Sequence, residues 1–265
     1  MKTKMKTSVC FFISGCLSLL FHLNVRCQHW EISELAPLPE PVSNNAVASA
    51  TVNGNTYVYS FCGIDSSKTH SGIHLKSFRF DVNQNLWESL PDVPDTLGKI
   101  AASASRIKDT IYIIGGYHVM PNGYEYTSNK VHRFNVVTNQ FMSDGAPVTV
   151  PVDDHVQAAW RDSLIFVITG WSGSGFSGGN VANVQIYNPS LNSWMQATPV
   201  PNNNIYKSFG ASGVIIGDTI YYYGGANGSS FGPQNQLRKG VINPSDPTQI
   251  SWSYQIPDAA IKGYR

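Results

Sequence analysis

Cysteine is scarce in this chain, and its placement excludes a disulfide framework. Four cysteines occur in 265 residues. Three of them, Cys10, Cys16 and Cys27, lie in the first 27 residues, and only Cys62 lies beyond. Cys62 ends an apolar run, where we expect a small buried side chain. With one cysteine in its main part, the chain depends on packing for its stability.

Charge is also sparse, at 13% of residues. The chain has 18 basic and 17 acidic residues, and four of the basic ones lie before residue 28, which leaves 14 against 17. No basic stripe with interleaved aromatics occurs, so nucleic acid is not an expected partner.

Long apolar runs are missing after the first segment, so the sequence predicts no transmembrane helix. Residues 1–27 combine a basic start, MKTKMK, with the apolar stretch SVCFFISGCLSLLFHL. This pattern predicts a signal peptide at 1–27, followed by one domain at 28–265, in a secreted, periplasmic or cell-surface protein. Ile13–Cys16 also has the form of a lipobox, which leaves lipidation at Cys16 as an alternative.

The usual catalytic motifs are lacking too. There is no phosphate-binding glycine loop, no G-x-S-x-G elbow and no Cys or His set with zinc spacing. The sequence therefore predicts no cofactor and no metal.

What the chain does contain is a repeat. Four β-prone apolar runs, TYVYSFCG, TIYIIGG, LIFVITG and TIYYYGG, end on glycines spaced 53, 54 and 55 residues apart: Gly63, Gly116, Gly170 and Gly225. A small-residue run and a tight turn precede each of them. A third strand and an aromatic-headed fourth strand follow. A period near 50 residues is typical of propeller blades.

The aromatic heads have a matching spacing of 57, 54, 53 and 58 residues: Trp30, Trp87, Phe141, Trp194 and Trp252. A proline follows each within a few residues, where it would end the outer strand. Paired glycines ending one strand, then an aromatic, then Trp after a turn resemble the kelch repeat over about residues 30 to 265. The best copies are Gly115–Gly116 and Gly224–Gly225, whereas Cys62 and Thr169 replace the first glycine elsewhere.

The resemblance implies an all-β, kelch-type β-propeller with four recognisable four-stranded blades. Trp30 adds an outer strand before the first blade, and the chain ends just before a fifth inner strand would begin. We therefore expect a fragment of a six-bladed ring, incomplete at the C-terminus; a four-bladed ring is the alternative.

Long loops should share one face of such a scaffold, and binding residues concentrate in long loops. These loops are rich in Gly, Ser and Asn, with isolated aromatics that suit sugar rings. The predicted ligand-binding residues are Tyr117, His118, Tyr124, Trp171, Phe176 and Phe231.

The crossovers between blades should deliver further residues to the mouth of the central channel. The Asp153–Asp154–His155 run looks most suited to chemistry, since a histidine beside carboxylates can form an acid–base pair. Weak catalytic candidates are Lys99, Asp154, His155, Lys207 and Arg265.

Two functions remain open. The favoured hypothesis is a binding scaffold, secreted or on the cell surface, that recognises a protein or a carbohydrate through the long-loop face. The alternative is a sugar-active enzyme similar to kelch-fold N-acetylneuraminate epimerases, which needs an acid–base residue and a cationic residue over the channel. Galactose oxidase, a copper enzyme, has the same fold. Its chemistry requires tyrosines and histidines around a cysteine, and Cys62 lacks these neighbours. Oligomeric state is not predicted.

Overall fold

The computed structural model describes residues 33–228 and 231–256, and the predicted leader, Trp30 and Arg265 lie outside them. Nearly all of the described chain forms one unit that begins at Ala36. It is built from antiparallel sheets in chain order, with one short 3-10 turn at His70–Gly72. The described chain contains four such sheets, one for each repeat, and their strands pair in the predicted order. The predicted four-stranded blades are thus confirmed.

The strand bounds follow the repeat. The first blade contains β1 (Ala46–Val52), β2 (Asn55–Ile64), β3 (Ile73–Asp81) and β4 (Leu86–Leu90). The second contains β5 (Ile100–Ile107), β6 (Thr110–Val119), the short β7 (Glu125–Thr127), β8 (Val131–Asn135) and β9 (Gln140–Met142). The third contains β10 (Val156–Trp160), β11 (Leu164–Ile168), the hairpin strands β12 (Trp171–Gly175) and β13 (Ser177–Asn180), β14 (Val184–Asn188) and β15 (Ser193–Gln196). The fourth contains β16 (Phe209–Ile216), β17 (Thr219–Asn227), β18 (Gly232–Pro233), β19 (Leu237–Asn243) and β20 (Asp246–Gln255).

Each pair of consecutive blades encloses an apolar core. Tyr59 and Phe61 of the first blade pack against Phe134 of the second, with ring centroids 5.8 and 5.4 Å apart. Tyr112 meets Tyr187 between the second and third blades at 5.6 Å. All five rings are buried. Full burial of a large apolar side chain contributes roughly 1.5–3 kcal/mol, so these contacts hold neighbouring blades together.

The recurring tryptophan of the outer strand ties its blade to the segment that precedes the blade. The indole Nε1 atoms donate to backbone oxygens at 2.9, 2.8 and 3.2 Å, in the pairs Trp87–Ala36, Trp194–Ala146 and Trp252–Thr198. Phe141 cannot make this bond because it has no ring N–H. A tryptophan at the head of the outer strand therefore supplies a hydrogen bond to the preceding segment as well as packing contacts.

The glycine that ends each of the four apolar runs is required by the backbone crossing it. All four have positive φ, from 79° to 119°. A Cβ at these positions would lie 2.6–2.9 Å from a carbonyl oxygen of the incoming crossover, in the pairs Gly63–Ser43, Gly116–Ile100, Gly170–Asp153 and Gly225–Phe209. The residue before the glycine is also left-handed, and Cys62 and Thr169 adopt this conformation at φ 59° and 49° despite their side chains.

A chain of backbone hydrogen bonds links the four crossovers where the inner strands begin. Ala101 N donates to Asn44 O at 3.0 Å, Asp154 N to Ala101 O at 3.0 Å, and Gly210 N to Asp154 O at 2.7 Å. These four equivalent residues are all left-handed, with φ between 47° and 64°. The crossovers are thus fixed to one another without any side chain.

Candidate functional site

The long loops of the second and third blades pair with each other. Strand β7 adds to β6 on one side and to β12 on the other, with Glu125 opposite Gly175 and Tyr126 opposite Ser174. Strand β13 completes the sheet beyond β12. The two loops therefore form one continuous wall on the long-loop face.

At the foot of this wall, Asp153 and Trp171 form a backbone pair. Each N–H donates to the carbonyl of the other at 2.9 Å. The same pair recurs in every blade, as Ser43–Ile64, Ile100–Tyr117 and Phe209–Ala226. Only the third blade places a carboxyl group at the first position, where the other repeats have a small or apolar residue. This departure from the repeat marks Asp153 as a residue that the fold itself does not require.

Trp171 packs against two further aromatic rings. Trp171 lies nearly parallel to Phe231, with centroids 6.2 Å apart, and Phe209 meets both rings edge-on at 5.4 and 5.3 Å. Glycines in the β12–β13 hairpin make room for the indole: a Cβ on Gly178 would collide with Trp171 Nε1, and one on Gly173 would lie 3.1 Å from it. The glycine-rich sequence of this hairpin is thus explained by the ring that it accommodates.

Asp153, Trp171 and Phe231 line a cleft of about 480 Å³. This volume is within the range typical of small-ligand sites. Two carboxyl groups, Asp153 and Glu125, line it together with Thr127 and the aromatics. The described lining residues are Gly123, Glu125, Thr127, Asp153, Trp171, Gly173, Ser174, Gly175, Phe176, Ser177, Gly178 and Phe231. None of them is Lys, Arg or His.

Burial shifts the pKa values of the carboxyl groups that line the cleft. It raises the pKa of Asp153 well above the ordinary range, and the neighbouring charges of Asp154 and Glu125 act in the same direction. A hydrogen bond of 2.7 Å from Thr127 Oγ1 to Asp153 Oδ2 opposes them only in part. Burial also raises the pKa of Glu125, and that of the nearby Tyr117 phenol. The cleft therefore holds carboxyl groups that retain protons more strongly than free ones.

A shallower groove of about 590 Å³ adjoins the cleft and shares residues 174–177 with it. Tyr124 and Tyr126 line it, and Tyr124 packs against Phe176 with centroids 4.4 Å apart. Phe176 is 78% exposed. The groove extends the aromatic surface from the cleft across the long-loop face.

A second space of about 300 Å³ lies between the four inner strands, at the central channel. His155 lines it, and its Nε2 lies 3.1 Å from Gln157 Oε1. Because the Gln157 amide donates to Tyr112 O at 3.1 Å, its oxygen must accept from His155. Among the lining residues that the structure describes, none is Lys or Arg.

Lys99 lies outside the channel, in a buried ionic cluster between the first two blades. Its Nζ is 2.8 Å from Asp95 Oδ2 and 3.0 Å from His132 Nε2. His132 in turn contacts Asp144 Oδ1 at 2.9 Å. His118 belongs to the same region, with Nδ1 bonded to a backbone carbonyl at 2.8 Å and Nε2 3.7 Å from Asp95.

This cluster stabilises the Asp95 carboxylate. Burial alone would raise the pKa of Asp95, but the hydrogen bond from His132 and the charge and hydrogen bond of Lys99 together lower it well below its usual range. Burial lowers the pKa of His118. Lys99 and His118 thus have structural partners, and neither lines the cleft, the adjoining groove or the channel space.

The remaining predicted residues are dispersed. The structure brings Trp171, Phe176 and Phe231 together in the cleft and places Tyr124 in the adjoining groove. Tyr117 and Asp154 lie near the cleft carboxyls, and Lys207 is half-buried in the crossover that leads to the fourth blade. Arg265 lies outside the described residues.

Neither a metal-binding cluster nor a membrane-spanning helix is found within the described residues. No group of three or more His, Cys, Asp or Glu side chains is arranged to hold a metal ion there. None of the helical segments in that part of the chain is long and apolar enough to cross a membrane. Cys62 is buried, and burial raises the pKa of its thiol to about 12.

Comparison with known proteins supports the architecture. No family model matches the sequence. A kelch-like protein of Aspergillus terreus, terF, is 27% identical over 154 residues, which cover 52% of this chain and 30% of that protein. The chain thus spans less than a third of that curated relative. The solved structure of YjhT matches with a TM-score of 0.64 at 18% identity, over 85% of this chain and 69% of that one.

The chain has the kelch-type propeller fold. In this kelch-type propeller, the tight turns occupy one face and the cleft opens on the other, among the long loops.

Sequence reasoning named the cleft aromatics but not Glu125, and it treated Asp153 only as part of an acidic run. A signal was present for Asp153. Alignment of the four crossovers on their glycines would have shown a carboxyl group where the sister repeats carry Ser43, Ile100 and Phe209.

Proposed function

We propose that this kelch-type propeller is an exported binding module, secreted or at the cell surface, that recognises a carbohydrate in the long-loop cleft. The observation that carries the proposal is the cleft itself, in which Trp171 and Phe231 stand beside buried hydrogen-bonding groups. Sugar rings present C–H faces that pack on aromatics and hydroxyls that bond polar groups. The basic and apolar segment at 1–27 supports export.

A carbohydrate fits this surface better than a folded protein does. The cleft is concave, of small-ligand volume, and continues into an aromatic groove. Protein partners usually need a broad patch of roughly 800 Å² on each side. An extended oligosaccharide could instead follow the cleft and the groove with successive sugar units.

The test is a glycan array with the wild-type protein and two matched variants. Phe176 is 78% exposed on the long-loop face, and Leu191 is 72% exposed on the tight-turn face. We expect Phe176→Ala and Trp171→Ala to weaken binding at least about tenfold, the range for loss of an aromatic anchor. Leu191→Ala should leave binding unchanged. A blank array with well-folded wild-type protein would refute carbohydrate recognition.

The alternative is a sugar-active enzyme of the N-acetylneuraminate epimerase type. One observation favours catalysis: Asp153 is a cleft carboxyl with a strongly raised pKa, which is common among acid–base residues. Against this substrate, neither the described cleft lining nor the described channel lining supplies Lys or Arg for its carboxylate. Incubation with N-acetylneuraminate, followed by NMR of the ring C3 protons, whose signals differ between the two anomers, tests this alternative. Turnover that Asp153→Asn abolishes would favour the enzyme.

A further inference from the structure

The cleft combines acidic and aromatic groups without a basic one. Asp153 and Glu125 supply carboxyl oxygens, Trp171 and Phe231 supply ring faces, and no basic side chain is among the described lining residues. Carboxylates attract ammonium groups, and the faces of aromatic rings attract them too. We propose that the cleft takes an amine-bearing sugar, of the glucosamine oligosaccharide class, with its ammonium group directed at Asp153. This inference rests on the proposed carbohydrate function and specifies its ligand.

The hydrogen bonds around Asp153 define where such an ammonium group would bind. Asp153 is only 4% exposed, yet it lines the cleft. Gly173 N donates to Thr127 Oγ1 at 3.0 Å, and the Thr127 hydroxyl donates to Asp153 Oδ2, 2.7 Å away. Oδ2 is thus already hydrogen-bonded within the protein. The incoming ammonium group is therefore assigned to the other carboxyl oxygen, Oδ1.

Binding of an ammonium group at Oδ1 would displace the proton of the neutral carboxyl group. When the carboxyl is neutral, its O–H bond breaks, the proton leaves to solvent, and the carboxylate accepts a hydrogen bond from the ammonium group. No oxidant or other reactant is needed. The charges that act on Asp153 are those of Asp154, beside it in the chain, and Glu125 on β7, and the Tyr117 phenol on β6 lies near all three carboxyl groups. His155, two residues further along, lines the channel instead. The charged groups that act on Asp153 are thus acidic and favour a cation in the cleft.

The same arrangement discriminates against acidic sugars. A carboxylate ligand would face Asp153 and Glu125 with no described cation in the lining to pair with it. A buried carboxylate without a partner is strongly unfavourable. An N-acetylated sugar loses the positive charge but keeps the ring and its hydroxyl groups, so it would retain the stacking contacts and the hydroxyl hydrogen bonds but not the ionic contact.

Calorimetric titration tests the inference with three probes: a β-1,4-linked glucosamine tetramer, its fully N-acetylated counterpart, and N-acetylneuraminate. At pH 6.5, where the amines are charged, we expect the glucosamine tetramer to bind at least about tenfold more tightly than the acetylated one. This corresponds to one net charge-assisted hydrogen bond. Repeating the titration in buffers with different heats of ionisation should show proton release, and affinity should fall toward pH 4.5.

Variants separate the charge from the fold. Asp153→Asn keeps the shape and the acceptor for Thr127, so it should remove most of the preference for the amine over the acetylated tetramer. Glu125→Gln should remove part of the preference. Asp92→Asn is the matched control, because Asp92 is exposed and lies outside the cleft.

Each outcome has a distinct meaning. Equal or tighter binding of the acetylated tetramer, with Asp153→Asn indistinguishable from wild type, would overturn the amine inference. If Trp171→Ala still abolished that binding, carbohydrate recognition in the cleft would survive. Tightest binding of N-acetylneuraminate would also overturn it and favour the enzyme alternative. If none of the probes binds, the inference fails, and the glycan array then decides whether carbohydrate recognition fails with it.

Discussion

Replacing Asp153 with asparagine should stabilise the protein at neutral pH and leave its stability nearly unchanged in acid. Burial raises the pKa of Asp153, with help from the charges of Asp154 and Glu125, so the folded protein holds this proton more tightly than the unfolded chain does. The free energy of unfolding is then highest below the unfolded pKa of about 3.9, and it falls as the pH rises toward the folded pKa. Asparagine has no proton to lose, and its amide oxygen can still accept from Thr127.

The size of the gain follows from the linkage between pKa and stability. Each unit by which the folded pKa exceeds the unfolded one costs the wild type about 1.4 kcal/mol once the pH is above both. In a domain of this size, a gain of about 1.4 kcal/mol raises Tm by roughly 3–6 °C. Differential scanning calorimetry at pH 4 and pH 7 would measure the difference for Asp153→Asn, with the exposed Asp92→Asn as control.

Two results would refute the reasoning. A variant less stable than wild type at pH 7 would mean that the Asp153 carboxylate has a favourable partner in the fold. A gain of equal size at both pH values would mean that packing, not ionisation, is responsible. Confirmation would show that the chain keeps a destabilising acid in the cleft, as expected of a residue retained for function.

Further predictions concern residues that the fold does require. Gly116→Ala should cost about 2 kcal/mol or more in urea unfolding, because its Cβ would meet two backbone atoms within 2.8 Å; Gly217→Ala, also at positive φ but in open space, should cost only about 1 kcal/mol. Equal losses would contradict the argument from the crossing strand. Asp95→Asn should cost about 3–5 kcal/mol at pH 7 by leaving Lys99 buried without its carboxylate. Since the pKa of Asp95 is lowered, wild-type stability should fall as pH drops through the acid range. The double variant with Lys99→Met should recover part of the loss, and no recovery would argue against an ion pair.

The repeat made most of the fold predictable. Glycine-ended strands and aromatic heads report local requirements, namely a left-handed turn under a crossing carbonyl and an indole N–H that finds a backbone oxygen. Both can be recognised from residue type and spacing. The strands β2, β6 and β17 accordingly contain their apolar runs in full, and β11 contains the first five residues of the LIFVITG run.

The partners of Lys99 were not predictable in the same way. Its carboxylate is four residues away, but His132 comes from a different strand of the next blade. Whether a lysine after a proline-rich turn points into a channel or between two blades depends on packing that has no periodic signal. The pairing of β7 with β12 escaped prediction for a similar reason, because glycine and serine carry no alternation that would reveal a strand.

The hydrogen-bonded chain through Asn44, Ala101, Asp154 and Gly210 has a consequence for how such a protein can change. Because main-chain atoms make these three bonds, the four positions can hold an amide, a methyl group, a carboxylate and no side chain at all. These hydrogen bonds fix the position of each residue at the channel mouth but do not restrict its side chain. The side chains at this rim can therefore be substituted in evolution, one repeat at a time, while the backbone hydrogen bonds between repeats are kept.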